Sequence, residues 1–122
     1  MTMKIEHKSL DHAADERRDM PLGHLEVCTI GDVVFGRATF EPGWRWSESV
    51  GPIVGTKSCE VRHNGYIESG RLHVRMDDGD EVDLEPGEFF VLQPGHDAWV
   101  VGDEPCIAFD FSSQIVDYAK PS

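Results

Sequence analysis

The stretch GRLHVRMDDGDEVDLEPGEFFVLQPGHDAWVVGDEP, residues 70–105, decides the fold. Leu72, Val74 and Met76 alternate with Arg71, His73 and Arg75, the period of two that a strand with one buried face requires. Asp77-Asp78-Gly79-Asp80 is a hairpin signal, because Gly and Asp tolerate the backbone angles of a tight reversal. EVDL then runs back as far as Glu85-Pro86-Gly87. FFVLQ is a short apolar strand ended by Pro94-Gly95, and AWVV is another, ended by Gly102-Asp103-Glu104-Pro105. Proline and glycine thus cut the chain into short strands, with no room for a long helix between them.

The same punctuation extends in both directions. CIAFDF (106–111) is the last clear strand, and residues 112–122 read as a tail that packs on a neighbour. Upstream, HLEVCTI (24–30) and VVFGRATF (33–40) are separated only by Gly31-Asp32, so they predict a hairpin. WRWSESV (44–50) reads as extended, with Trp44 and Trp46 on one face and Arg45 and Ser47 on the other. Lys57 to Met76 is the longest strand-like region, with bends or bulges expected at Gly65 and Gly70. Residues 1–23 form a lead, helical over Asp11–Asp19 or extended across the rest; residues 24–122 form the body. Short strands every ~8–12 residues predict an all-β sandwich or closed barrel, and closure leaves an interior able to hold a small ligand.

A chain of 122 residues is one domain's worth. Its formal net charge of -12 disfavours phosphate backbones and anionic lipid, so neither nucleic acid nor membrane is an expected partner. No apolar run nears the ~20 residues of a membrane span, and the mixed charge of Met1–Asp19 does not read as a secretory signal. Cys28, Cys59 and Cys106 are odd in number and widely spaced, which fits reduced thiols in the cytoplasm.

From Gly70 to Pro105 the sequence resembles the middle of a cupin domain. Gly87 and Gly95 occupy the glycines of the family's second motif, with Gln93 at its proline. Gly70 occupies the closing glycine of the first motif. The likeness covers roughly residues 35–111. More narrowly, the chain resembles a bacterial branch of small single-domain cupins of unassigned function. These share Pro42-Gly43-Trp44-x-Trp46-Ser47, a Cys59-x3-His63, Gly65-Tyr66 and the block Gly95 to Pro105. The resemblance implies a jelly-roll barrel (a double-stranded β-helix) and a homodimer. It does not carry over the usual three-His, one-Glu metal set, whose positions hold Lys57, Cys59, His63 and Ala98 here. Alanine offers no ligand atom, and lysine is protonated at neutral pH.

Cys59, His63 and His96 nevertheless have the chemistry of metal ligands, thiolate and imidazole suiting Zn, Fe or Ni. On a straight strand the first two would stand ~13 Å apart, so one ion can join them only if the chain bends between them. His96 shares parity with Ala98, beside a flexible Gly95, and is placed to substitute for the missing ligand. The alternative is a hydrogen-bonded histidine and an inert buried cysteine. His73, flanked by Leu72 and Val74, should point outward, as should Trp99, opposite in parity to Ala98. Trp44, Trp46 and Tyr66 are candidate ligand contacts, being apolar with one polar tip, and equally candidate core fillers.

Two functions follow. One is a non-catalytic barrel binding a small organic molecule among Trp44, Trp46, Cys59, His63, Tyr66 and His96. The other is a metal-dependent small-substrate enzyme, of oxygenase or isomerase type, using a rearranged Cys59–His63–His96 site.

Overall fold

The computed structural model describes residues 4–120; residues 1–3 of the lead and 121–122 of the tail lie outside the described residues. A four-residue helix, α1 (Leu10–Ala13), is followed by strands β1 (Glu16–Met20), β2 (Gly23–Ile30) and β3 (Val33–Phe40). Two single-turn helices come next, α2 (Trp46–Ser49) and α3 (Gly51–Val54). Then come β4 (His63–Ser69), β5 (Arg71–Met76), β6 (Glu81–Leu84), β7 (Phe89–Leu92), β8 (His96–Val101) and β9 (Cys106–Asp110). A 3-10 turn, Ser113–Asp117, leads into the tail.

All pairing is antiparallel. A six-stranded sheet runs β1-β2-β3-β9-β4-β7 and a three-stranded sheet β6-β5-β8. Their inward faces share one core: Leu25, Ile67, Val74 and Cys106 are essentially inaccessible and come from both sheets. Burying each such aliphatic side chain contributes roughly 1.5–3 kcal/mol. The alternation read from Leu72 and Val74 is the observed burial, and the β2–β3 hairpin turns at Gly31-Asp32 with Ile30 opposite Val33. No helix among the described residues is long and apolar enough to cross a membrane.

Four expectations need correction. Within the lead, Asp11–Asp19 is neither one helix nor one extended run: α1 ends at Ala13, and Glu16–Met20 pairs along β2 from Glu16↔Val27 to Met20↔Gly23. The segment WRWSESV is extended only as far as Arg45; α2 then forms because the Asp97 carboxylate accepts the Ser47 N–H at 3.0 Å. That cap comes from β8, far along the chain, so no local residue pattern announces it. Lys57–Met76 is two strands, split at Gly70, and its first six residues are irregular. The tail packs on its own barrel: Ile115 seats over Gly36, and Arg18 of β1 donates to the Tyr118 carbonyl at 2.7 Å.

Candidate functional site

Cys59 precedes β4 and lies beside the start of β8. Its N–H donates to the His96 carbonyl at 2.8 Å, and its carbonyl accepts the Gly95 N–H at 2.7 Å. The chain bends through residues 60–62, where the Arg62 N–H donates to Gln114 Oε1, and His63 opens β4 facing inward. This bend removes the straight-strand obstacle: Cys59 Sγ and His63 Nε2 are 3.5 Å apart. One ligand atom from each of Cys59, His63 and His96 lies within 4.8 Å of the others, and all three residues are buried.

Each histidine is held by its other nitrogen. His63 Nδ1 is 2.5 Å from Asp110 Oδ2, while Asp110 Oδ1 accepts the Ser112 N–H at 2.8 Å. His96 Nδ1 is 2.8 Å from the Gln93 carbonyl. Carboxylate and carbonyl oxygens accept only, so both Nδ1 atoms carry a proton, and a ring with no second proton has its lone pair on Nε2. Burial favours that neutral form at His96, pushing its pKa down. Burial also pushes the Cys59 thiol up to about 12, so without a cation it is no thiolate nucleophile at neutral pH and donates its S–H to His63.

The donor set fits a metal. Tetrahedral bonds of about 2.3 Å to sulfur and about 2.05 Å to nitrogen put ligand atoms about 3.4–3.6 Å apart. The Cys59–His63 spacing has that value already, and His96, next to Gly95 at φ 93°, needs to close by about an ångström. Asp110 and the Gln93 carbonyl are the outer partners that metal-bound imidazoles use to fix tautomer and orientation.

Beside the cluster lies a cavity of about 50 Å³ whose walls are mostly apolar; Trp44, Trp46, His63, His96, Asp110 and Tyr118 are the lining residues that carry polar side-chain atoms. Trp44 stacks on Phe40 with ring centroids 3.9 Å apart. Cys59 instead opens on a second cavity of about 130 Å³ against α2 and α3. Trp46 and Tyr118 line both spaces and form the partition.

The structure therefore unites Trp44, Trp46, Cys59, His63 and His96, and excludes Tyr66 from the cavity. Tyr66 is an odd number of residues from His63, so it faces outward and stacks on the exposed Phe89 at 4.7 Å. Ala98 is buried, Lys57 is exposed, and neither can complete the cluster. Sequence reasoning missed Asp110 and Tyr118. Asp110 was within reach of it: Cys106, Ala108 and Asp110 share the inward parity of β9, and a carboxylate on a buried face demands a partner.

No protein-family model and no curated protein matches the sequence. Solved structures do match. A protein of unknown function (DUF1255) from Acidithiobacillus ferrooxidans superposes with a TM-score of 0.59 at 16% identity, covering 81% of this chain and 88% of that one. The cupin domain of an XRE-family transcriptional regulator from Enterobacter cloacae gives 0.52 at 13% identity, over 73% and 93% of the two chains. The chain has a cupin fold. Oxalate decarboxylase from Lactobacillus farciminis, solved with formate, gives 0.56 at 15% identity; the match covers 88% of this chain and only 31% of that larger protein. At such identities the likeness concerns the cupin barrel alone, and what this barrel binds has to be argued from its own residues.

Proposed function

We propose that the barrel binds a small organic molecule beside a divalent transition metal held by Cys59, His63 and His96. The observation that carries this is the pinning of both histidines through Nδ1, which leaves two imidazole lone pairs beside a buried sulfur. A buried thiol and two buried imidazoles are costly to leave together without a shared cation or a closed hydrogen-bond network. Zinc suits the set, and iron or nickel also accepts imidazole and thiolate.

A second reading, a metal-dependent enzyme acting on that molecule, has one specific support. Three protein ligands leave a coordination position open, as in catalytic rather than structural zinc sites. When bound, the metal would supply Lewis acidity; the protein's share is to exclude water with Trp46 and Tyr118 and to hold His63 through Asp110.

The test is metal analysis of protein purified without a histidine tag and then equilibrated with zinc. One tightly held equivalent, lost in Cys59→Ala and His63→Ala variants that still fold, is the expected result. Protein that takes up no stoichiometric metal removes the metal from the reading and leaves a simple binding barrel.

Two further proposals complete this reading. Three buried free cysteines support a reducing cytoplasmic setting. Phe89 and Val91, exposed on the edge strand β7, support a homodimer, to be tested by sedimentation equilibrium.

A further inference from the structure

Trp44 and Trp46 are almost wholly buried, yet the indole nitrogen of each has no hydrogen-bond partner among the described residues. Such donors are the exception in folded proteins, where a buried N–H nearly always finds an acceptor. Both rings belong to the wall of the cavity that holds His63 and His96. Other polar groups of that wall are already committed. Asp110 spends one oxygen on His63 and the other on the Ser112 N–H, and His96 Nδ1 is held by Gln93. The lone pairs left over in the wall, on His96 Nε2 and the Tyr118 hydroxyl, lie beyond hydrogen-bond reach of either indole N–H, so the acceptor has to come from a bound molecule.

We infer that the ligand is a short aliphatic monocarboxylate. This inference rests on the proposed binding site and names the chemistry of its occupant. A carboxylate brings two acceptor oxygens on one carbon, matching two donors in one wall. The Cys59 thiolate and the Asp110 carboxylate behind His63 would together balance a divalent ion, so a carboxylate is selected here by its two acceptor oxygens and not by net charge. The remaining wall, from Ala38, Leu72, Leu92 and Ala108, is apolar and suits an alkyl tail. Size sets the length. One water position takes about 10–15 Å³, so a cavity of about 50 Å³ holds three to five small groups. Acetate and propionate are of that size, whereas dicarboxylates and inorganic phosphate are too polar for the far wall.

Tryptophan itself provides the readout, because the protein contains three and Trp99 lies on the outer face as an internal control. Protein labelled with 15N at its indole nitrogens is titrated with acetate, propionate and butyrate, and with propionamide, n-propanol and phosphate. Both titrations are run on metal-free protein and on protein with one equivalent of zinc, and the three indole signals are assigned through nuclear Overhauser contacts. The expected result is a downfield shift of the Trp44 and Trp46 N–H signals with acetate or propionate, an unmoved Trp99, and at least about tenfold weaker binding of propionamide and n-propanol. Neutral compounds binding as well as propionate, or carboxylates moving neither indole with or without zinc, would overturn the inference. If zinc fails to bind but propionate still moves both indoles, the carboxylate site stands and the metal reading falls. If zinc binds stoichiometrically while the indoles ignore every carboxylate, the metal reading stands and this one falls.

Discussion

His63 and His73 are both paired with carboxylates, one inside the barrel and one outside, and the two arrangements do opposite things. On the outer face, His73 Nδ1 is 2.6 Å from Asp83, directly opposite on β6, and Nε2 is 2.8 Å from Glu81. Both ring nitrogens donate, so the ring is held as a cation and has nothing left to offer a ligand. Within the barrel, His63 gives one nitrogen to Asp110 and turns the other towards Cys59. A single carboxylate partner makes a ligand; two make a salt bridge. The difference lies in the sheets. His73 and Asp83 meet as register partners, whereas His63 and Asp110 meet diagonally, Asp110 lying opposite Gly65.

Gly65 is therefore the first place to break the inner pair. A Cβ there would stand 1.9 Å from the Phe109 carbonyl oxygen, which is backbone and cannot swing aside. Gly65→Ala forces β4 and β9 apart at the point that sets Asp110 beside His63. A loss of about 3 kcal/mol of folding stability is expected in urea unfolding, the upper range for overpacking. A variant as stable as the parent would show that the two strands do not need this approach. The outer pair, on β5 and β6, should keep its geometry in any folded population.

Asp110→Asn tests the orienting role without changing shape. The amide can still meet His63, but through a neutral group that no longer compels Nδ1 to carry the proton. Removing such an outer partner commonly weakens metal affinity about 10–100-fold, and that is the expectation for zinc competed against a chromophoric chelator. Asp83→Asn, made on the outer face, should leave zinc affinity where it was. Equal effects of the two substitutions would mean that a general change in charge, and not the contact to His63, sets the affinity.

How much of this was legible beforehand follows from where the information sits. Strand parity is local, so the inward Val74 and Ala98 and the outward His73 and Trp99 could be read off the chain. The inward face of His96, shared with Ala98, is legible on the same ground. Tyr66 is a candidate contact only for its apolar ring and polar tip, and its parity, odd with respect to His63, turns it outward to Phe89. Trp46 was expected in a strand and stands on a helix, because the Asp97 cap is a tertiary contact. Tyr118 could not be found at all: it reaches the cavity because Arg18 grips its carbonyl and Ile115 docks on Gly36, two contacts between opposite ends of the chain.

The smallest expected effect sharpens the outer half of the comparison and has a definite sign with pH. Hydrogen bonds to Glu81, the larger cause, and to Asp83 raise the His73 pKa above its ordinary 6.5. Partial burial of the ring opposes the shift without cancelling it; the ring lies 4.6 Å from Trp99, over which Arg45 and Arg75 also sit. A group whose folded pKa is raised stabilises fully below its unfolded value and loses that stabilisation as pH rises through the folded one. The stabilised range lies below the ordinary imidazole value of about 6.5. His73→Gln should therefore lower Tm most below about pH 6.5, with the gap to the parent closing as pH rises further. Because both carboxylates are half-exposed, the effect should stay within about 1 kcal/mol and shrink in salt. A gap that widens at alkaline pH would mean that His73 acts through its packing on Trp99 and not through its charge, and the contrast with His63 would then be one of burial alone.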